Sequence, residues 1–133
     1  MRSVFIVLAC FLSVCTLLNG GCSKNPQDKL KSQLVGRWRT ELSNVFVSGS
    51  AVWTFQADGT WRCDAEASNS ILGKTNVVVS GTYDVVSDRQ VKMVGVVDGK
   101  QQEKMMDFFF HSEDEMTMNE VGESKSHTLK RVK

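Results

Sequence analysis

The sequence predicts an all-β domain, an eight-stranded antiparallel up-and-down meander that closes into a barrel. Three observations carry this. Thr60-Trp61-Arg62-Cys63-Asp64-Ala65-Glu66-Ala67 alternates polar and apolar residues, which is the period of a half-buried antiparallel strand. Asp58-Gly59 and Asp98-Gly99 supply the positive φ that tight hairpins require. The single proline is Pro26, so every later residue is free to enter a sheet ladder.

Residues 1–21 read as an export leader. Met1-Arg2-Ser3 is a short positive start, residues 4–18 are apolar and uncharged, and Asn19-Gly20-Gly21 is small and polar. That order is the order of a secretory leader. The apolar run is about 15 residues, short of the roughly 20 that a spanning helix needs. Leu17-Leu18-Asn19-Gly20-Gly21-Cys22 resembles the lipobox of bacterial lipoproteins. Gly20, Gly21 and Cys22 fit; Asn19 stands where leucine is usual. The resemblance implies that Cys22 is acylated and becomes the new N-terminus, a membrane anchor whose strength grows by about 0.8 kcal/mol per buried CH₂. Cys15, with Leu12 three places before it, is the competing site. Ser23, where an Asp would resemble an inner-membrane retention signal, favours the outer membrane of the cell envelope, facing the periplasm.

Residues 22–33 are polar and lysine-bearing and read as a tether, ending in a helical turn near Leu30 and Leu34. Residues 34–133 read as the barrel domain, and from Val35 on the period is two. Apolar-rich runs separated by Ala57-Asp58-Gly59, Ser87-Asp88-Arg89, Asp98-Gly99, Ser112-Glu113-Asp114 and Gly122-Glu123-Ser124 predict strands at 36–43, 50–56, 59–68, 75–86, 90–97, 101–110, 115–121 and 125–132. Gly81, inside the long fourth run, marks a bulge or a sharp bend. Closure into a barrel removes both exposed sheet edges, and short connections make up-and-down order the natural topology.

Leu34-Val35-Gly36-Arg37-Trp38, with Gly-x-Trp opening the first strand, resembles the lipocalin signature. Phe55-Gln56-Ala57-Asp58-Gly59-Thr60, Gly81-Thr82-Tyr83 and Leu129-Lys130-Arg131-Val132 are similar to segments of the small lipocalin-like domains of bacterial lipoproteins. The resemblance implies that Arg131, on the last strand, covers Trp38, and that the domain binds rather than catalyses. A guanidinium over an indole contributes roughly 0.5–2 kcal/mol. The chain departs from typical lipocalins in its length, in lacking a clear helix after the barrel and in lacking a disulfide.

Charge and cysteines narrow the function. Sixteen Lys and Arg stand against fifteen Asp and Glu, interspersed along the chain, which is no electrostatic footprint for nucleic acid. Cys10 and Cys15 lie in the leader and Cys22 is the lipid site, so Cys63 has no disulfide partner. It reads as a small core hydrophobe; nothing links it to His111 or His127. No Gly-x-Ser-x-Gly, zinc spacing or phosphate loop occurs, so neither an enzyme nor a cofactor is expected. Glu113, Asp114 and Glu115 cluster beside His111, but turn neighbours point apart and calcium loops need alternate ligands, so no metal is expected. Asp64 and Glu66 read as solubilising charges.

One apolar face remains: Trp53, Phe55, Trp61, Tyr83, Val85, Met93, Met106, Phe108 and Phe110. Eight strands enclose an interior that side chains just fill or that holds one small ligand. The first alternative makes the domain an envelope protein-interaction or inhibitor module; the second makes it a binding module for a small apolar or amphipathic molecule. Val45-Phe46-Val47, at the barrel mouth, is either folded onto the core or a lid. On the anchoring side, Cys22→Ser is expected to abolish metabolic lipid labelling and release the protein from the membrane fraction. Labelling that persists in that variant would transfer the site to Cys15.

Overall fold

The computed structural model describes residues 25–43 and 47–133. One helix, α1 (Pro26–Leu34), precedes eight strands: β1 (Gly36–Ser43), β2 (Val47–Phe55), β3 (Thr60–Asn69), β4 (Gly73–Val85), β5 (Gln90–Val97), β6 (Lys100–Phe110), β7 (Glu115–Glu120) and β8 (Ser126–Arg131). Each strand pairs antiparallel with the next, and β8 returns to β1, so the sheet is a closed up-and-down barrel. The expected strands are all present. The β5–β6 hairpin turns through Asp98 (φ 52°) and Gly99 (φ 75°), the positive pair of a type I′ turn. At the β2–β3 turn Asp58 accepts from the Thr60 N–H and hydroxyl at 2.9 and 2.6 Å. β2 begins earlier than expected: Ser48-Gly49-Ser50 lacks apolar alternation, but pairing with β1 and β3 on both sides draws it into the ladder.

The proposed anchor Cys22 and the leader lie outside the described residues. Of the tether expected over residues 22–33, the part from Pro26 onward is helical and packs against the barrel through Leu30 and Leu34. Asn25 caps α1 by accepting from the Gln27 N–H at 2.8 Å, and Pro26 occupies the first turn, where its missing N–H costs nothing. Leu30 and Leu34, one turn apart, are both buried. A helix of this length is marginal alone; burying those two leucines against the barrel is what holds it.

α1 closes one end of the barrel, the floor. Trp38, Phe55, Val91, Phe108, Met116 and Leu129 are buried there with Leu34. The resemblance placed Arg131 over Trp38, and the guanidinium lies 4.2 Å from the indole centroid; the two residues are register partners across the β1–β8 seam. Arg131 Nη1 donates to the Val35 carbonyl (3.1 Å), Nη2 to that of Gln33 (2.9 Å) and Nε to that of Glu113 (2.9 Å). The Trp38 indole N–H donates to the Leu34 carbonyl at 2.9 Å. The carbonyls that a helix C-terminus leaves unpaired thus receive the tryptophan and the arginine, and the cation meets the negative end of the helix dipole. Gly36 makes room: with φ 136°, its added Cβ would sit 2.6 Å from Arg131 Nη1.

Because the β1–β8 ladder is only two register pairs long, this contact carries much of the closure. Trp38→Ala is expected to cost about 3–5 kcal/mol, as for other large core truncations, and Arg131→Ala somewhat less. A double-mutant cycle in urea should show losses that fail to add by about 0.5 kcal/mol or more, as contacting residues do. Strictly additive losses would mean that the stacking contributes nothing.

Candidate functional site

The register shows why the other end of the barrel is open. β1, β2, β3 and β4 pair along nearly their full lengths. β4 and β5 share only Gly81–Val85 with Val91–Gly95. β6 meets β7 only from Met106 to Phe110. At the mouth the wall therefore parts into a four-stranded sheet and two hairpins, around a cavity of about 500 Å³.

The two sides of this cavity differ in chemistry. The β1–β5 side presents Leu42, Ala51, Trp53, Trp61, Cys63, Ala65, Val79, Met93 and Val97. The β6–β8 side adds Met106 and Met118 at depth, then Gln102, Lys104, Glu120, Glu123, Lys125 and His127 toward the mouth. Lys104 Nζ lies 2.7 Å from Glu120 Oε2. As a half-exposed pair it contributes about 0–1 kcal/mol to stability, but it places two opposite charges on the polar side of the chamber, facing the apolar β1–β5 side.

Trp61 marks the height at which the barrel parts. Its indole N–H donates to the carbonyls of Thr82 (3.0 Å) and Val94 (3.2 Å), one on β4 and one on β5, next to the last ladder pair, Gly81 with Gly95. Gly81 was expected to mark a bulge or a bend. The β3–β4 ladder runs through it in register and the β4–β5 ladder ends at it, so it is no bulge; a Cβ there would stand 1.8 Å from the Val94 carbonyl oxygen, and the strands close only because it is absent.

The eight sequence-predicted pocket residues fall into two sets. Trp53, Trp61, Met93 and Met106 line the cavity. Phe55, Tyr83 and Phe108 are buried below it, and Phe110 packs against that core, edge-on to Trp38 at 5.8 Å. The sets are joined by aromatic contacts: Trp53 lies 5.6 Å from Trp61 and 6.4 Å from Phe55, and Phe55 meets Tyr83 and Phe108 edge-on. Tyr83 donates its hydroxyl to the Gln56 carbonyl at 2.5 Å; burial first, and then Asp58, raises its pKa. The Trp53 indole nitrogen is buried without a hydrogen-bond partner. Both alternatives for the interior hold in part, a filled floor beneath an open chamber.

Sequence reasoning missed the polar wall. Lys104 is two residues from Met106, Glu120 two from Met118 and His127 two from Leu129, so the period of two already turned them inward. Of the remaining candidates, Arg131 Nε lies 3.8 Å from Asp114 and donates to the Glu113 carbonyl, while His111 Nε2 meets the Thr117 hydroxyl at 2.6 Å. No group of three His, Cys, Asp or Glu among the described residues is placed to hold a metal. Asp64 pairs with Arg62 at 2.8 Å, and that hydrogen bond holds its carboxyl below the usual range. Of Val45-Phe46-Val47, the first two lie outside the described residues and Val47 opens β2.

No family model matches the chain, and a search of the curated proteins gives no match. The closed eight-stranded antiparallel barrel is consistent with a lipocalin or calycin-like fold.

Cys63 is buried on the cavity wall, and loss of hydration pushes its thiol up to about 11. Only about one thiol in ten thousand is then ionised at pH 7, and the thiolate is the nucleophile. Alkylation by iodoacetamide in native protein should therefore be slow at pH 7 and accelerate about tenfold per pH unit toward pH 11, or at once on unfolding. Rapid alkylation of native protein at pH 7 would show an activated cysteine.

Proposed function

We propose that this chain is a membrane-anchored, lipocalin-like binding module of the cell envelope that holds one small apolar or amphipathic molecule in its mouth cavity. The observation that carries the reading is the two-sided chamber: aromatic and aliphatic side chains on the β1–β5 side and at depth, and the Lys104–Glu120 pair with Gln102 and His127 toward the opening. A volume of about 500 Å³ lies within the span of small-molecule sites, which are mostly apolar with a few placed polar groups. The apolar part of a ligand would lie against Trp53, Trp61 and Met93, and its polar end beside β6–β8. An acceptor reaching Trp53 Nε1 would relieve a buried donor that otherwise costs about 1–3 kcal/mol.

Anchoring through Cys22 fits this arrangement. Only Ser23 and Lys24 separate Cys22 from the Asn25 cap, a reach of about 10 Å at 3.3–3.6 Å per residue. α1 sits at the floor, so the mouth would face away from the anchoring membrane.

Titration with palmitate and with a monoacylglycerol, read by tryptophan emission, tests the binding. Trp53 and Trp61 should report occupancy, and Ala65→Trp, which fills the chamber, should weaken binding by at least about tenfold while leaving the floor intact. No emission change with either lipid, or full binding by the filled variant, would overturn a ligand role for the cavity.

A further inference from the structure

The parting of the barrel leaves one long strand edge bare. Residues 73–82 of β4 pair with β3, but only residues 81–85 pair with β5. Residues 74–80, Lys-Thr-Asn-Val-Val-Val-Ser, therefore have no ladder partner on their second side among the described residues. Tyr83 N–H donates to the Gly59 carbonyl on the β3 side. Alternation then turns the N–H and C=O groups of Lys74, Asn76, Val78 and Ser80 outward.

Proteins usually protect such an edge with proline, bulges, inward charges or brevity. This one has none of these. Its register with β3 is unbroken, its one charge, Lys74, is at the end, and its centre is three β-branched residues. Val77 and Val78 are 50% and 56% exposed, and at the tip of the same hairpin Ile71 and Leu72 are 85% and 80% exposed.

We propose that a second copy of this chain covers the edge, β4 pairing antiparallel with the partner's β4 about a two-fold axis at Val77. Charge and register select this occupant and this orientation. A two-fold needs a self-complementary segment, and this one is: antiparallel pairing sets each Lys74 opposite a serine at the far end, whereas parallel pairing would lay the two lysines side by side. A centre at Val77 is the one that engages all seven free residues. It sets Thr75 against Val79 on the cavity side, and β-branched cross-strand pairs of this kind stabilise sheets. About eight backbone hydrogen bonds would form, and the two β1–β4 sheets would become one continuous sheet.

Two substitutions separate this edge from any other contact. Asn76→Pro removes an outward N–H and leaves the β3 ladder intact; Val78→Lys places charge at the centre of the edge. Sedimentation velocity of the full chain in mild detergent should show a dimer that either substitution weakens by at least about tenfold, with unchanged near-ultraviolet circular dichroism confirming the fold. Val77→Cys should form a disulfide-linked dimer on oxidation in membranes of expressing cells. Its Cα would face the partner's at about 4.5 Å, as in non-hydrogen-bonded pairs, within disulfide range. Asn76→Cys, offset from itself across the axis, should cross-link far less. A wild-type chain that sediments as a monomer at about 0.1 mM, well above the Kd of stable dimers, would overturn the proposal. So would a dimer indifferent to both edge substitutions, which would place the contact elsewhere, or equal cross-linking at 76 and 77.

Discussion

The structure turns on one contact, the Arg131 guanidinium laid over the Trp38 indole with its donors in the carbonyls of Gln33, Val35 and Glu113. It answers three needs at once. The β1–β8 seam has a ladder of only two register pairs, so side-chain contacts across it add to its closure. The C-terminus of α1 needs donors for its last carbonyls. A partly buried guanidinium needs acceptors, since leaving it unpaired is expensive. Each supplies what another lacks, so the helix, the seam and the cation stabilise one another. Leu30 and Leu34 then plug a floor whose height this contact sets.

Closure at one end permits opening at the other. Strands that must carry full ladders at the floor are released above it: β5 leaves β4 at Gly81, and β7 leaves β6 beyond Met106. The released residues lose ladder partners and expose Val77, Val78 and Val96, a cost the compact floor has to offset. Trp61 sits at the divide and satisfies a carbonyl from each parting strand, so the ladder ends without an orphaned acceptor where water is scarce. The same ring is part of the cavity wall. One side chain therefore belongs to both the stability of the barrel and the shape of the chamber, and Trp53, stacked on Phe55 and tilted against Trp61, is its only aromatic neighbour on the way to the floor among the described contacts.

Alternation tells which side of the sheet a residue faces, and it was legible here strand by strand; turn chemistry gave the order and the hairpins. Alternation says nothing about height along the barrel axis. Trp53 and Phe55 share a face and differ by one step of the period, yet one lines the cavity and the other is packed beneath it. Height is fixed by stagger between neighbouring strands, a tertiary quantity. The helix was half legible for a related reason. Leu30 and Leu34 carry a helical spacing, but with Lys29, Lys31 and Gln33 around them the segment is too polar and short to be held by its own propensity, and the barrel floor that stabilises it is distant in sequence. The inward charges were overlooked because a charge in a strand suggests solvent. Lys104, Glu120 and His127 obey the inward period all the same, since at the mouth the inside is wet.

Division of the barrel into floor and mouth also decides how binding would act on stability. Floor residues fill space that is lost only on global unfolding, so their substitution changes the stability of every state. The chamber is different: among the described residues no side chain fills it, and a molecule that occupied it would bind the folded form alone, adding stability by mass action that grows with the logarithm of its concentration. An occupant would also supply the packing that parted strands lack at the mouth, where β4, β5 and β6 have one ladder each. A ligand and a partner strand would in this sense answer two halves of the same deficit. The cavity lacks side-chain contacts, the β4 edge lacks backbone contacts, and both deficits begin at the height of Trp61 because both follow from the place where β4 and β5 separate.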